Sequence, residues 1–397
     1  MKITAIIAEY NPYHNGHDFQ KKLIKHGQKS HYTVAIMSGN FTQRGEAALF
    51  DKWTRARMAL LAGIDIVIEL PAVYALQSAE GFASGGVAIA NSLEVIDELC
   101  FGSESADEQG LRNAAHLLVT EDQSYRRHLK EYLLKGLSFP SARMQALQAA
   151  AGLDANIINQ PNDILAIEYL KALERSGSSI FPRIIKRAGA GYHDTDISGS
   201  LASASAIRTA ILQNDFEGVY RNIPEECGAV LRKVLSENKP VSTEDFFRLI
   251  LYRLRTMKAW QIAEISGVQE GLEYRMEKTA AEADSLETLI TGIKSKRYTQ
   301  TRISRILMCC LLYITQEKIQ EANTYEGLYA RILGYRKDAL PALSLLSKKS
   351  RIPVVTSGTQ LPQNIVSKTD ILASDVYALA CADLKAGRDY TEKLIIV

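Results

Sequence analysis

Cysteine is scarce in this sequence, and its few positions form no recognisable pattern. Five cysteines occur among 397 residues, and they lie far apart except for the adjacent Cys309 and Cys310. That pair falls inside an apolar run, which favours a buried helix. An odd, scattered set gives neither a disulfide framework nor a zinc knuckle, so small disulfide-rich secreted proteins and zinc-knuckle proteins are excluded.

Long apolar runs and a strong net charge are also missing. No run approaches the roughly 20 apolar residues of a membrane-spanning helix, so we expect no membrane partner. The chain enters a strand pattern at once, so we expect no signal peptide and a cytoplasmic location. The formal net charge is +2, so any nucleic-acid site must be a local patch. Nothing in the sequence indicates a protein partner.

The chain is instead rich in alternating strand and helix patterns. With 397 residues, 46% of them hydrophobic and 23% charged, it is a globular sequence long enough for two domains. The alternation over residues 1–213 predicts an α/β domain built on a Rossmann-like, doubly wound parallel sheet. Residues 214–397 are predicted to form a mostly α-helical C-terminal domain with one short strand-like run at 352–356.

The first predicted strand leads into a segment suited to binding an anion. After the apolar residues 4–8, the sequence NPYHNGH turns the chain into a helix and places His14 and His17 at its N-terminus. Unpaired backbone N–H groups there favour an anion, both rings can donate to phosphate, and Gly16 lets a ligand approach the backbone. Two surface histidines or a zinc pair are the alternatives. Because no cysteine or third ligand stands nearby, we expect no metal site.

Two motifs of this chain resemble those of a known superfamily. Tyr-Asn-Pro-x-His-x-Gly-His after the first strand resembles the ATP-binding motif of the nucleotidyltransferase superfamily, which shares its fold with class I aminoacyl-tRNA synthetases. That resemblance implies cleavage of ATP between its α- and β-phosphates. About 190 residues later, ASASAIR begins a helix that Ser203 or Ser205 can cap. This stretch resembles the second superfamily motif, whose hydroxyls and cation hold the triphosphate.

The C-terminal half carries a local excess of positive charge. Between Lys294 and Arg351 there are twelve lysines and arginines against four acids, with Tyr298, Arg331 and Tyr335 among the interleaved residues. Phosphate contacts and aromatic stacking from such a strip suit structured RNA. A solvated basic face is the alternative interpretation.

Over its full length the chain resembles the bacterial tRNA(Met) cytidine acetate ligase family. The stretches that carry the resemblance are IAEYNPYHNGHDFQ, MSGNFTQRGE, ELCFGSES, the PND turn and IKRAGAGYH. The resemblance implies that acetate attacks ATP to give acetyl-adenylate and pyrophosphate. The N4 amine of the wobble cytidine of elongator tRNA(Met) then takes the acetyl group and AMP is released. Mg²⁺ is expected to accompany ATP, held mainly by the nucleotide and water because no carboxylate cluster is evident.

The resemblance also implies roles for individual residues. The expected catalytic residues are His14, His17 and Arg208. The expected ATP-binding residues are Ile7, Ala8, Glu9, Tyr10, Asn11, Pro12, Tyr13, His14, Asn15, Gly16, His17, Asp18, Phe19, Gln20, Gly102, Asn162, Lys186, Arg187, Ser203 and Ser205. The expected tRNA-binding residues are Lys294, Lys296, Arg297, Arg302, Arg305, Arg336 and Lys337. A small-molecule adenylyltransferase and a non-catalytic RNA-binding protein remain the alternative functions.

Overall fold

The structure is a computed structural model that describes residues 1–26, 31–137, 139–151, 160–187, 201–237, 239–269, 271–295, 297–381 and 384–397. The strands of this part of the chain form a single sheet. They are β1 (Lys2–Ala8), β2 (His31–Ser38), β3 (Ile66–Leu70), β4 (Glu98–Ser103), β5 (Phe181–Lys186), β6 (Ala330–Tyr335), β7 (Val354–Val355) and β8 (Ile395–Ile396).

The first five strands run parallel, as the sequence predicted. Their order across the sheet is β5-β4-β1-β2-β3, so the chain winds outward from β1 in both directions. Side chains of β2 alternate between two buried layers: Val34 and Ile36 face one, and Ala35 and Met37 face the other. Because both faces are covered, the strands are nearly continuous apolar runs. The doubly wound α/β prediction is confirmed.

The C-terminal half also contributes strands to this sheet, two of which the sequence did not predict. β6 pairs antiparallel with β3, and β7 and β8 each pair parallel with β6, so the same sheet continues into residues beyond 330. The predicted strand-like run at 352–356 corresponds to β7, whereas β6 and β8 were missed. The expected domain boundary between residues 213 and 214 stays a prediction. The sheet contains strands from both sides of that boundary.

Helices cover both faces of the sheet and make up most of the C-terminal half. Their bounds are α1 (Asn15–Lys25), α2 (Lys52–Leu61), α3 (Ala72–Ala75), α4 (Ala79–Ser92), α5 (Glu108–Thr120), α6 (Gln123–Leu134), α7 (Phe139–Ala151), α8 (Pro161–Arg175), α9 (Ala204–Leu212), α10 (Phe216–Asn222), α11 (Glu225–Glu237), α12 (Phe247–Thr256), α13 (Ala259–Ala263), α14 (Leu272–Glu282), α15 (Leu286–Ile293), α16 (Gln300–Leu312), α17 (Gln316–Ala322), α18 (Leu340–Lys349), α19 (Ile365–Ala378) and α20 (Arg388–Thr391). In the described ranges, no helix is both long and apolar enough to cross a bilayer.

Helices α4 and α8 lie close to the sheet and supply residues that line the candidate active site. α4 and α8 pack against each other, and α4 is rich in small residues. A Cβ atom added to Gly86 of α4 would lie 2.5 Å from Cδ1 of Ile7 in β1. Glycine at this position therefore lets α4 lie directly on the central strand.

Candidate active site

A cavity of about 280 Å³ lies beyond the C-terminal ends of β1, β4 and β5. This is the edge of a parallel α/β sheet where ligands bind. Its wall brings together both sequence motifs, which are far apart in the chain. The predicted residues that line it are Ile7, Ala8, Glu9, Tyr10, Asn11, His14, His17, Gln20, Gly102, Asn162, Arg187, Ser203, Ser205 and Arg208.

His14 and His17 are held at the N-terminus of α1 by backbone hydrogen bonds. His14 is the N-cap, and its Nδ1 accepts from the backbone N–H of Gly16 at 3.0 Å. His17 Nδ1 accepts in turn from the backbone N–H of His14 at 3.2 Å. The two rings stack with centroids 3.8 Å apart. Since Nδ1 is an acceptor in both neutral rings, the proton lies on Nε2, which leaves one N–H donor on each ring for a ligand.

Both histidines are neutral in this environment. Desolvation and the nearby Arg187 and Arg208 guanidinium groups lower the pKa of His14 to about 3. Desolvation and His14 lower the pKa of His17 well below its usual value. Positive charge at the cavity therefore comes from arginine and the α1 N-terminus, while the imidazoles supply uncharged donors.

The second motif faces the histidines at the start of α9. Ser203 is the N-cap of this helix, and its hydroxyl accepts from the backbone N–H of Ala206 at 3.1 Å. The Oγ atoms of Ser203 and Ser205 are 3.0 Å apart. One turn later, Arg208 donates to the carbonyl of Asn11 at 3.2 Å. That bond joins the second motif to the turn before the histidines, so the two motifs form one wall.

A third group of predicted residues lies at the ends of β4 and β5. A Cβ atom on Gly102 would lie 2.9 Å from Cγ of Arg187, so only glycine fits without displacing the arginine. The Arg187 guanidinium donates to Oδ1 of Asn162 at 3.4 Å. Asn162 lies in the first turn of α8, which begins with Pro161. Lys186 is exposed and does not line the cavity, so the structure distinguishes it from Arg187.

Several residues that were predicted to contact the nucleotide do not line the cavity. Tyr13 is buried and packs against Tyr10 and His17. Asn15 donates to the carbonyl of Arg221, and Asp18 pairs with Lys22 at 2.8 Å. Such residues hold the loop and α1 in place. The predicted residues that do not line the cavity are Pro12, Tyr13, Asn15, Gly16, Asp18, Phe19 and Lys186.

The loop after β2 supplies lining residues that the sequence analysis did not assign. Gln43 and Arg44 line the cavity, and the backbone N–H of Gln43 donates to Glu9 Oε1 at 2.7 Å. Buried Arg55 braces the same region by donating to the carbonyls of Ser38 and Glu9. Desolvation raises the pKa of Glu9. The stretch MSGNFTQRGE, noted for its family resemblance, was the available signal for this loop.

The other lining residues were assigned no role from the sequence. They are Ile6, Ala79, Phe82, Cys100, Phe101, Pro161, Leu165, Tyr169 and Ala204. Most of them are apolar, so in the sequence they are indistinguishable from core residues. Their position in the cavity follows from how α4 and α8 meet above β4.

The predicted tRNA-binding residues occupy different places. Lys294 and Arg297 are exposed, and Lys296 lies outside the described residues. Arg302 stacks over Tyr298, with the guanidinium carbon 4.4 Å from the ring centroid. Arg305 donates to the carbonyl of Gln43 at 3.2 Å and is therefore engaged with the cavity loop.

Arg336 and Lys337 lie at the N-terminal end of β3, away from the C-terminal strand ends where the cavity is found. Arg336 follows β6 and pairs with Asp338 at 3.2 Å and with Asp65 at 3.9 Å, and Asp65 precedes β3. The N-terminal end of β3 is on the opposite side of the sheet from the C-terminal strand ends beyond which the cavity lies. Arg331, counted in the basic strip, is buried and bonds to Asp389, so its interpretation as a surface cation was wrong.

The cavity does not present a set of protein ligands for a metal ion. Among the residues that the structure describes, no group of three or more histidine, cysteine or acidic side chains could hold one. Glu9 is a carboxylate of the described lining, and it accepts from the backbone N–H of Gln43.

The chain is similar to known proteins over its full length. Residues 1–392 match the family described as HIGH Nucleotidyl Transferase. The tRNA(Met) cytidine acetate ligase of Thermoanaerobacter sp. (strain X514) is 41% identical over 404 residues, which cover 100% of both chains. That of Acetivibrio thermocellus is 40% identical, again over 100% of both chains.

Solved structures of the same family are also similar. Crystal structures of Thermotoga maritima TmcAL match over 100% of both chains. The apo form has a TM-score of 0.93 at 34% identity. The form bound with alpha-thio ATP has a TM-score of 0.91 at 32% identity. The chain therefore belongs to the tRNA(Met) cytidine acetate ligase family of HIGH nucleotidyl transferases.

Proposed function

We propose that this protein activates acetate with ATP and transfers the acetyl group to the N4 amine of the wobble cytidine of elongator tRNA(Met). One observation carries the proposal: two neutral, stacked histidines at a helix N-terminus share a cavity with the arginine and serines of the second motif. This arrangement suits the charge that develops during displacement at phosphorus.

In the first step, an acetate oxygen attacks the α-phosphorus of ATP. A new O–P bond forms, the bond from the α-phosphorus to the bridging oxygen breaks, and pyrophosphate leaves. His14 and His17 donate their Nε2–H groups to phosphate oxygens, and Arg208 and Arg187 offset the negative charge of the phosphates. The histidines need not transfer a proton, because acetate is already a nucleophile. Mg²⁺ bound to the phosphates and water would add further charge neutralisation.

In the second step, the cytidine amine attacks the carbonyl carbon of acetyl-adenylate. A C–N bond forms, the C–O bond to the adenylate breaks, AMP leaves and the amine loses a proton. The base must therefore reach the cavity from outside. We assign the tRNA contacts nearest the cavity to Lys294 and Arg297, because the loop that carries them leads into α16, whose Arg305 contacts Gln43.

The two-domain division belongs to the same proposal. Residues 1–213 would activate acetate and residues 214–397 would bind tRNA, although β6, β7 and β8 extend the N-terminal sheet. A tRNA substrate also implies a cytoplasmic location. Arg336 and Lys337, at the N-terminal end of β3, would contact tRNA only if the molecule wraps around the protein.

The proposal is tested by incubating purified protein with tRNA, ATP, Mg²⁺ and isotope-labelled acetate, followed by mass spectrometry of tRNA nucleosides. We expect labelled N4-acetylcytidine that depends on both ATP and acetate. Omission of ATP, and a tRNA transcript lacking the wobble cytidine, serve as controls. ATP cleavage to AMP and pyrophosphate without labelled RNA would favour a small-molecule acceptor instead.

A further inference from the structure

Tyr169 lines the cavity and carries a buried hydroxyl donor. Tyr169 is 2% exposed, and its hydroxyl has no hydrogen-bond partner among the described residues. The ring packs against Phe101 with centroids 5.2 Å apart, which fixes its position. Buried polar groups in folded proteins are nearly always satisfied, so this donor is available to a ligand that enters the cavity.

Tyr169 lies farther along helix α8 than Asn162, which is expected to bind ATP. Tyr169 follows Asn162 by seven residues, or about 10 Å along the helix axis, on the same face. Leu165 lies between them and also lines the cavity. Tyr169 therefore lines the same cavity as Asn162, about two turns farther along α8.

The start of α4 also lines the cavity. Ala79 and Phe82 line the cavity within the first turn of this 14-residue helix, whose N-cap is Ser78. A helix N-terminus favours a carboxylate, and the two apolar side chains favour a methyl group. A small acid with one carboxylate and one methyl matches both features.

The charged groups of the described lining are compatible with an anion. Arg44 lines the cavity. Glu9, a carboxylate of the described lining, accepts from the backbone N–H of Gln43, and desolvation raises its pKa.

We propose that the part of the cavity lined by Ala79, Phe82 and Tyr169 is the acetate pocket, in which the Tyr169 hydroxyl donates to an acetate oxygen. The inference rests on the proposed function and deepens it. Ala79 and Phe82 surround the methyl group and limit the length of the acyl chain. Acetate held there by one oxygen presents the other to the α-phosphorus.

The test is Tyr169→Phe, which removes the hydroxyl and keeps the ring on Phe101. Acetate-dependent exchange of pyrophosphate into ATP is measured over a range of acetate concentrations. We expect the KM for acetate to rise by about 10- to 100-fold, as for loss of a hydrogen bond to a charged group. The KM for ATP should stay unchanged. Tyr125→Phe, a buried tyrosine of α6 that does not line the cavity, is the matched control.

A second variant tests the methyl contact. Phe82→Leu enlarges the pocket, and we expect the preference for acetate over propionate in kcat/KM to fall by about tenfold. An unchanged acetate KM in Tyr169→Phe, or a rise in the KM for ATP alone, would overturn the pocket. Absence of acetate-dependent exchange in the unaltered protein would instead count against the proposed function.

Discussion

Two buried polar regions of this protein differ in how far their charged groups and hydrogen-bond donors are paired within the protein. The charged cluster (Lys52, Glu69, Arg331 and Asp389) joins α2 and β3 to β6 and α20. Lys52 Nζ lies 2.6 Å from Glu69 and 2.8 Å from Asp389, and Arg331 bonds to Asp389. All four side chains are almost fully buried. Every charge in this cluster therefore contacts an opposite charge, while Oδ2 of Asp389 has no hydrogen-bond partner among the described residues.

The candidate active site has the opposite character. Its histidines are neutral, with one N–H donor left on each ring, and the Tyr169 hydroxyl has no partner among the described residues. Arg187 is exposed at the rim. Paired charges fix the position of secondary-structure elements, whereas unused donors around a cavity are available to a ligand. The comparison suggests that substitutions in the first region affect stability and those in the second affect catalysis.

Lys52→Met should break the charged cluster and give the largest effect on folding. Removing the lysine leaves Glu69 and Asp389 buried with less compensation, and we expect the free energy of unfolding to fall by about 3–5 kcal/mol. Urea denaturation measures this change. Lys22→Met, which removes an exposed partner of Asp18, is the matched control and should leave stability almost unchanged. Equal stability of Lys52→Met and the unaltered protein would show that the cluster is not stabilising.

His14→Asn should give the reverse result, with loss of catalysis and little loss of stability. Asparagine keeps an N-cap acceptor for α1 but removes the Nε2–H donor. We expect the rate of acetyl-adenylate formation to fall by about 100- to 1000-fold, as for loss of one donor to a developing negative charge. Acetate-dependent pyrophosphate exchange provides the rate, and thermal unfolding provides the stability. His116→Asn, at an exposed histidine of α5, is the control.

If His14→Asn unfolds at a much lower temperature while the remaining folded protein is fully active, the distinction between the two regions fails. The histidine would then have a structural role, like the members of the charged cluster.

The sequence singled out residues of one of these regions and missed the other. His14, His17, Ser203 and Arg208 stand in two short contiguous motifs, and the structure places all four around one cavity. Their roles stay a prediction. Arg331 looked like part of a basic surface strip. It is buried because β6 pairs with β3 across more than 250 residues, which no local pattern could indicate.

The same reason explains what was missed within the active site. Phe82 and Tyr169 lie on α4 and α8, far from both motifs, and look like ordinary core residues of helices. Only the packing of those helices brings them to the cavity. Helix α8 begins at Pro161, and its N-cap is Gln160 rather than Asn162 or Asp163. Asp163 instead accepts from the backbone N–H of Glu104 and supports the loop after β4.

The smallest expected effect concerns tRNA affinity and compares two exposed lysines. Lys294 precedes the helix that contacts the cavity loop, whereas Lys337 lies at the opposite end of the sheet. Lys294→Ala should weaken tRNA binding and reduce the slope of log affinity against log salt concentration by about one, as for loss of one phosphate contact. Lys337→Ala should change neither quantity, because a tRNA whose wobble base enters the cavity approaches from the other side. Filter binding at several salt concentrations measures both variants. An equal loss of tRNA affinity in the two variants would mean that tRNA contacts both ends of the sheet. The position of the cavity would then not decide which lysines and arginines bind tRNA.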